Sequence, residues 1–470
     1  MFLNRVNELA DLETRYQSNQ AEFVVLWGRR RVGKTSLVWA FCQDKPSVFY
    51  FSERASSDYL LREFSQKLRA VLEPEHTAKV GEFDDFSYPD WYTAFQQMAI
   101  LANNQRIVIV IDEYPYLAES VPGVSTALQK AWDLHLSKTN IFFVLTGSTI
   151  SLMSNHVLDA TAPLYGRHTW ALELKSLLIY DIPPFLPHYT ATQCIETYAV
   201  LGGMPGYLQQ FDDQRPVITN ISRQIVSVSG SLFGSARLNI FEEISDPGLH
   251  LSVIEVIASG AHKPADIGRL AAIRDRGQLR RILLRLKEVR LIEARVPLDR
   301  DRGHQRQPGY FIADPYIRFW FRYIKPHMRL LEMREGEQVV LDEIRSQWGL
   351  LVAPTWEEIA RTHLLRQSAR RQLPFYLEEV GSWFSAQAQL DIVGINRRER
   401  RVLFGEVKWQ RPPATIKTLD RLITQSQKWL GRDPDWDVYY TLFAQSFGAE
   451  LEKRAAAEGD VFLYTPEDVV

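Results

Sequence analysis

Little in this chain points to a redox, disulfide-stapled or membrane protein. Among 470 residues there are two cysteines, Cys42 and Cys194, far apart and without metal-ligand spacing, which predicts core thiols and not a disulfide, zinc site or dithiol centre. No apolar run approaches the roughly 18 residues that span a bilayer, and Met1-Phe2-Leu3-Asn4-Arg5 does not lead into a signal-peptide core, so a cytoplasmic protein with no membrane partner is expected. Net charge is also scarce, at -2, which excludes a polyanion-binding field over the whole chain. That balance hides one basic stretch: residues 250–330 hold 17 Lys and Arg against 8 Asp and Glu. The chain is too long for one core, and its length gives a soft prior of about three domains.

What is present is organised around Gly28-Arg29-Arg30-Arg31-Val32-Gly33-Lys34-Thr35, which fits G-x-x-x-x-G-K-[ST] without a departure. The apolar run Phe23–Trp27 precedes it and a helical stretch from Ser36 follows, the strand–loop–helix context of a phosphate-binding loop. The glycines let successive N–H groups turn inward on phosphate oxygens, and the helix N-terminus adds partial positive charge. Lys34 is expected on the β- and γ-phosphates, and Thr35 and Ser36 at the phosphate and Mg²⁺ end.

Ile107–Ile111 is an aliphatic run that ends in Asp112-Glu113, a Walker B pattern. A strand of this kind suits a parallel sheet covered by helices on both faces. Its terminal carboxylates, costly to bury unpaired, predict a hydrated Mg²⁺ at Asp112 and a water-polarising role for Glu113. A further buried strand, Ile141–Leu145, ends in Thr146-Gly147-Ser148-Thr149, so Thr146 or Ser148 is a candidate γ-phosphate sensor. This extra strand, with Glu beside the Walker B Asp, points to the branch of P-loop ATPases that includes the AAA+ proteins. Arg167, in Pro163–Arg167, is a candidate for stabilising charge on the γ-phosphate.

Downstream, residues 170–248 predict a helical lid and connection, and 249–335 predict three helices and a hairpin, the winged-helix plan. The third helix carries Arg280, Arg281, Arg285 and Lys287, and the turn carries Arg300, Arg302 and Arg306, so double-stranded DNA is the expected partner. Asp314–Arg322 predicts an aromatic packing seam. In residues 336–470, Leu390–Ile395 and Val402–Trp409 predict paired strands, with Glu406 and Lys408 on one face by the strand period of two. Asp391 on one strand, Glu-x-Lys on its neighbour and Glu357 on a preceding helix form a PD-(D/E)xK-like arrangement. In it Glu357, Asp391 and Glu406 would hold a metal and Lys408 would activate water or steady the scissile phosphate.

These residues, together with Phe2–Arg5, Gly202-Gly203-Met204-Pro205, Asp314-Pro315 and Gly405–Trp409, resemble a family of archaeal and bacterial ATPases. That family joins an AAA-type P-loop domain to a C-terminal domain of unknown function similar to PD-(D/E)xK nucleases. The resemblance covers nearly the whole chain; Leu390 stands where the nuclease motif has Pro. It implies an α/β multidomain protein with a P-loop ATPase core over 1–169, a C-terminal α/β nuclease-like domain, ATP and Mg²⁺ as cofactors, and homo-oligomer formation as an option. Two functions follow: ATP turnover coupled to DNA binding and cleavage, or a nucleotide-dependent switch whose C-terminal domain binds nucleic acid or protein without cutting.

Overall fold

The computed structural model describes residues 3–73, 85–244, 248–298, 308–385, 388–431 and 435–470. The chain divides into two compact units, Met1–Ser176 with Met204–Gly206, and Leu177–Gly203 with Tyr207–Val470.

The first unit is a five-stranded parallel sheet, β1 (Glu22–Trp27), β2 (Ser47–Phe51), β3 (Ile107–Asp112), β4 (Ile141–Gly147) and β5 (Trp170–Glu173), in the order β2-β3-β4-β1-β5. Every residue of β3 and β4 is buried, as near-continuous aliphatic and aromatic runs require when helices cover both faces. The N-terminal helix α1 (Val6–Tyr16) packs as expected, with Leu12 buried and the Tyr16 ring edge-on to Phe41 and Phe142. β4 lies between β1 and β3, so the strand ends bearing the phosphate loop and Asp112 flank the polar tip of β4. β5 corrects the expected helical pattern from Trp170: four residues are too few for a period to declare itself, and Trp-Ala-Leu-Glu pairs with Val24–Trp27 at the sheet edge.

In the second unit, three helices, α3 (Gly248–Ala258), α4 (Pro264–Leu270) and α5 (Arg276–Glu288), precede an antiparallel pair, β6 (Ile292–Arg295) and β7 (Gly309–Ile312). The phosphate-loop helix of the first unit, Lys34–Cys42, takes the label α2. α5 buries Leu279, Ile282, Leu283 and Leu286 on one stripe and leaves Arg276, Arg280, Arg281 and Lys287 exposed. Arg300, Arg302 and Arg306 of the turn lie outside the described residues. Tyr316, Phe319, Trp320, Phe321 and Tyr323 are buried, so the aromatic stretch is a packing seam.

The unit ends in the long helix α6 (Trp348–Ala369) and a mixed sheet, β8 (Glu379–Phe384), β9 (Gln389–Asn396), β10 (Arg401–Val407), β11 (Asp437–Phe443) and β12 (Val461–Tyr464), ordered β12-β11-β10-β9-β8. β8–β9–β10 are antiparallel, β10–β11–β12 parallel, and α7 (Ile416–Leu430) makes the crossover from β10 to β11. Cys42 in the first unit and Cys194 in the second are buried and free, and burial pushes each thiol up to about 11.

Candidate functional site

The phosphate loop turns directly from β1 into α2, whose N-cap is Gly33. Gly33 has φ 98°, in the left-handed region where a side chain would be strained. At Gly28 a Cβ would sit 2.4 Å from the Leu174 carbonyl oxygen, so only glycine fits under the chain leaving β5. Lys34 is buried, and its Nζ donates to the carbonyls of Gly28 at 2.8 Å and Arg29 at 3.3 Å. Phosphate oxygens are the natural replacements for those acceptors. Pro205 and Gly206 lie against the loop, with the Gly206 N–H donating to the Arg31 carbonyl at 3.2 Å. Val32 is buried, Arg29 is half-buried, and Arg30, Arg31 and Ser36 are exposed.

The carboxylates at the end of β3 are held by hydroxyls. Asp112, 2% exposed, accepts from Thr35 Oγ1 at 2.8 Å and from Thr146 Oγ1 in a short contact. Glu113 has φ 54°, a left-handed conformation uncommon for a side-chain-bearing residue, and it turns its carboxylate onto β4. There Oε2 accepts from both the N–H and the Oγ of Ser148, at 2.9 and 2.8 Å, while the Glu113 N–H donates to Thr146 Oγ1 at 3.3 Å. Thr35, Asp112, Glu113, Thr146 and Ser148 are thus one hydrogen-bonded cluster beside the loop. The hard oxygens of Thr35 and Asp112 fit a Mg²⁺ ion that keeps most of its water.

Arg167 is not brought to this cluster. It precedes β5 at the amino-terminal end of the parallel sheet, opposite the phosphate loop, and its guanidinium pairs with Asp133 at 3.1 and 3.3 Å. Two groups to which the sequence assigned no role at the site are present instead. Ser52, at the end of β2, donates its N–H and Oγ to the Asp112 carbonyl at 3.0 and 2.6 Å. Arg5 donates to the carbonyls of Val32 at 3.1 Å and Lys175 at 2.5 Å, which fixes the phosphate loop from beneath.

In the second unit the β9–β10 register pairs Gly405 with Ile392, and its continuation sets Asp391 opposite Glu406 on one face. Asp391 Oδ2 accepts the Val407 N–H at 3.1 Å. Burial first, then the Asp391 charge, pushes the Glu357 carboxyl up to about 7, and burial with the Glu406 charge pushes Asp391 up as well. The four expected residues are neighbours, but the three-carboxylate metal centre is not formed. Among the described residues no three Asp, Glu, His or Cys side chains are placed to hold an ion. The carboxylates are paired with cations instead. Lys408 Nζ and Arg421 Nη2 lie 2.5 and 2.6 Å from the same oxygen of Glu406. Arg361 sits 3.6 Å from Glu357 and donates to the Asp391 carbonyl at 3.1 Å. Arg361, one turn after Glu357, was visible in the helical period; Arg421, on α7, had no signal in the spacing.

No helix among the described residues is long and apolar enough to cross a membrane. Comparison with known proteins agrees with the first unit's architecture. Residues 2–211 match an ATPase domain found predominantly in Archaea, and residues 320–422 match a domain of archaeal and bacterial proteins of unknown function. An uncharacterized protein of Methanocaldococcus jannaschii is 27% identical over 469 residues, 100% of each chain. An uncharacterized ATP-binding protein of the same organism is 49% identical over 45 residues, which is 10% of this chain and 76% of that one. A solved Walker-type ATPase of Pyrococcus abyssi shares the fold, with TM-score 0.52 at 20% identity over 68% of this chain and 96% of that one. The chain thus carries, over residues 2–211, an ATPase domain of a kind found predominantly in Archaea and is an ATPase, and over residues 320–422 it is similar to a domain of archaeal and bacterial proteins of unknown function.

Proposed function

We propose that ATP bound and hydrolysed in the first unit controls the engagement of double-stranded DNA by the second. In the first unit Lys34 and the loop amides would receive the β- and γ-phosphates, and Thr35 and Asp112 would hold Mg²⁺, which supplies charge neutralisation when bound. Glu113, released from Ser148, would orient the attacking water, and Thr146 and Ser148 would register the γ-phosphate. In-line phosphoryl transfer needs positioning and charge more than covalent help, and a cluster of preplaced oxygens answers that need.

The observation that carries the DNA half is the exposed face of α5, where Arg276, Arg280, Arg281 and Lys287 stand on the solvent side of a helix whose other stripe is core. With the β6–β7 hairpin after it, the module reads as a winged helix, and α5 is the element of a size and charge to enter a major groove. Binding measured against salt tests this: affinity should fall with a log-log slope of about −0.9 for each phosphate neutralised. A flat titration would remove the electrostatic reading.

Cleavage is the second reading. It is favoured by Asp391 opposite Glu406 with Lys408 on the same face, on a helix-and-sheet plan like that of PD-(D/E)xK nucleases. With Glu406 already countered by two cations, the carboxylates do not fit a metal ion as they stand, and the non-cutting switch takes precedence. Supercoiled plasmid incubated with Mg²⁺ and ATP decides between them, since nicking lost in Asp391→Ala would reverse that order.

A further inference from the structure

Within the second unit a cavity of about 570 Å³ separates the hairpin module from the carboxylate-bearing strands. We propose that this cavity binds one or two unpaired nucleotides of a nucleic-acid strand. The inference rests on the nucleic-acid reading above and adds that the strand enters the cavity single.

Three features of the walls select the ligand. The first is charge: Lys263, Arg295 and Arg361 face the cavity with one carboxylate, Glu357, among them. Arg295 is held in place by Glu293 and, at 3.1 Å, by Glu358, and a guanidinium with five N–H donors retains capacity for a phosphate oxygen. The second is aromatic surface. His262 stacks on Phe311 with centroids 4.1 Å apart, and the Arg295 guanidinium lies 4.7 Å from the same ring, so one wall is a fixed layer of planar groups. Phe384, 42% exposed, also lines the cavity and adds an apolar ring to its walls. Cations that track a backbone, combined with planar faces for bases, are what single strands require.

The third feature is size. A volume of 570 Å³ lies within the roughly 300–1,000 Å³ of pockets that enclose small ligands. As a sphere it would be about 10 Å across, too small to take in the full width of a double helix, so a duplex is excluded from it. The cavity also has a direction. Gln389, on its wall, donates to Asp391 Oδ1 at 3.4 Å, so a nucleotide held here would lie beside the Asp391–Glu406 face.

The test uses the full chain in EDTA without ATP, so that neither cleavage nor turnover enters, and follows fluorescence anisotropy of a labelled oligothymidylate. Phe384→Ala and Lys263→Glu should each weaken binding about tenfold or more, with circular-dichroism melting curves as the fold control at these two exposed positions. Lys263→Glu should also make the log-log salt slope shallower by about 0.7. The proposal is overturned if both variants bind the oligonucleotide as the unaltered chain does. It is equally overturned if blunt duplex displaces the oligonucleotide as effectively as unlabelled strand, or if free thymidylate does so at matched concentration, since the ligand would then be a duplex or a mononucleotide. Should blunt duplex fail to bind while the oligonucleotide responds to both variants, the duplex reading of α5 falls and the cavity assignment stands.

Discussion

The two units each set acidic side chains at the ends of buried strands, and they neutralise them by opposite means. In the first unit Asp112 and Glu113 are met by Thr35, Thr146 and Ser148, neutral donors that leave the negative charge in place for a cation and a water. In the second, Glu406 is met by Lys408 and Arg421, and Glu357 by Arg361, so most of the charge is already countered. Withdrawing a cation from the buried Glu406 leaves its charge uncompensated, whereas a hydroxyl can rotate away for about 1 kcal/mol. A hydroxyl-held carboxylate is therefore ready to change partners within a catalytic cycle, and a guanidinium-held one is ready to keep its shape.

The sharpest way to break this contrast lies in the first unit. Glu113→Gln keeps the shape and removes the charge, and steady-state phosphate release should fall on the order of 10²–10⁴-fold with ATP still bound. Lys34→Ala deletes the buried ammonium, and ATP affinity measured by calorimetry should drop on the order of 100-fold, about 2.7 kcal/mol. Unchanged turnover and affinity in these variants would show that the hydroxyl-held cluster is not the reacting site.

Smaller effects are expected in the second unit. Arg280→Glu with Arg281→Glu reverses charge on the open face of α5; duplex affinity should fall about tenfold or more and the salt slope should become shallower by about 0.9 per lost phosphate contact. Arg421→Ala sharpens the comparison, because it withdraws one of the two cations from Glu406 and makes that carboxylate more like Asp112. Mn²⁺ should then raise the melting temperature of the variant by a few degrees more than that of the unaltered chain. An equal response in both would mean that neutralisation does not govern ion binding here.

The last effect is one of pH. Glu357 titrates at about 7 in the fold against 4.5 in its ordinary state, raised by burial and then by Asp391, so the folded chain holds its proton more tightly than the unfolded chain. Its contribution is fully present below pH 4.5 and is lost as pH rises through about 7. Glu357→Gln should flatten that decline and raise the melting temperature by a few degrees above pH 7, as differential scanning calorimetry would record.

The nucleotide cluster was legible because its parts are local. A phosphate loop needs only a strand, eight residues and a helix, and Asp112-Glu113 close an unbroken apolar strand. The strand pair with Asp391, Glu406 and Lys408 was legible by its period of two. What escaped reading was direction and encounter. Arg167 follows the polar tip of β4 in the chain, but a residue just before a parallel strand lies at the opposite end of the sheet, and the four-residue β5 hid that fact. Arg421 and Arg295 reach the second cluster and its cavity from other elements, α7 and β6, and no spacing in the sequence records that meeting.

The two cysteines bear on how the molecule could be watched coming apart. Each unit contains one, Cys42 at 7% exposure and Cys194 at 1%, and with the thiols raised to about 11 only about one in a thousand is a thiolate at pH 8. Folded protein should hardly react with an alkylating reagent, and each site should become labelled only when its own unit opens. Peptide mapping after timed alkylation would thus record two separate opening rates from one unmodified chain. Adding ATP should slow labelling at Cys42, and the response at Cys194 would measure how far nucleotide binding is felt in the other unit.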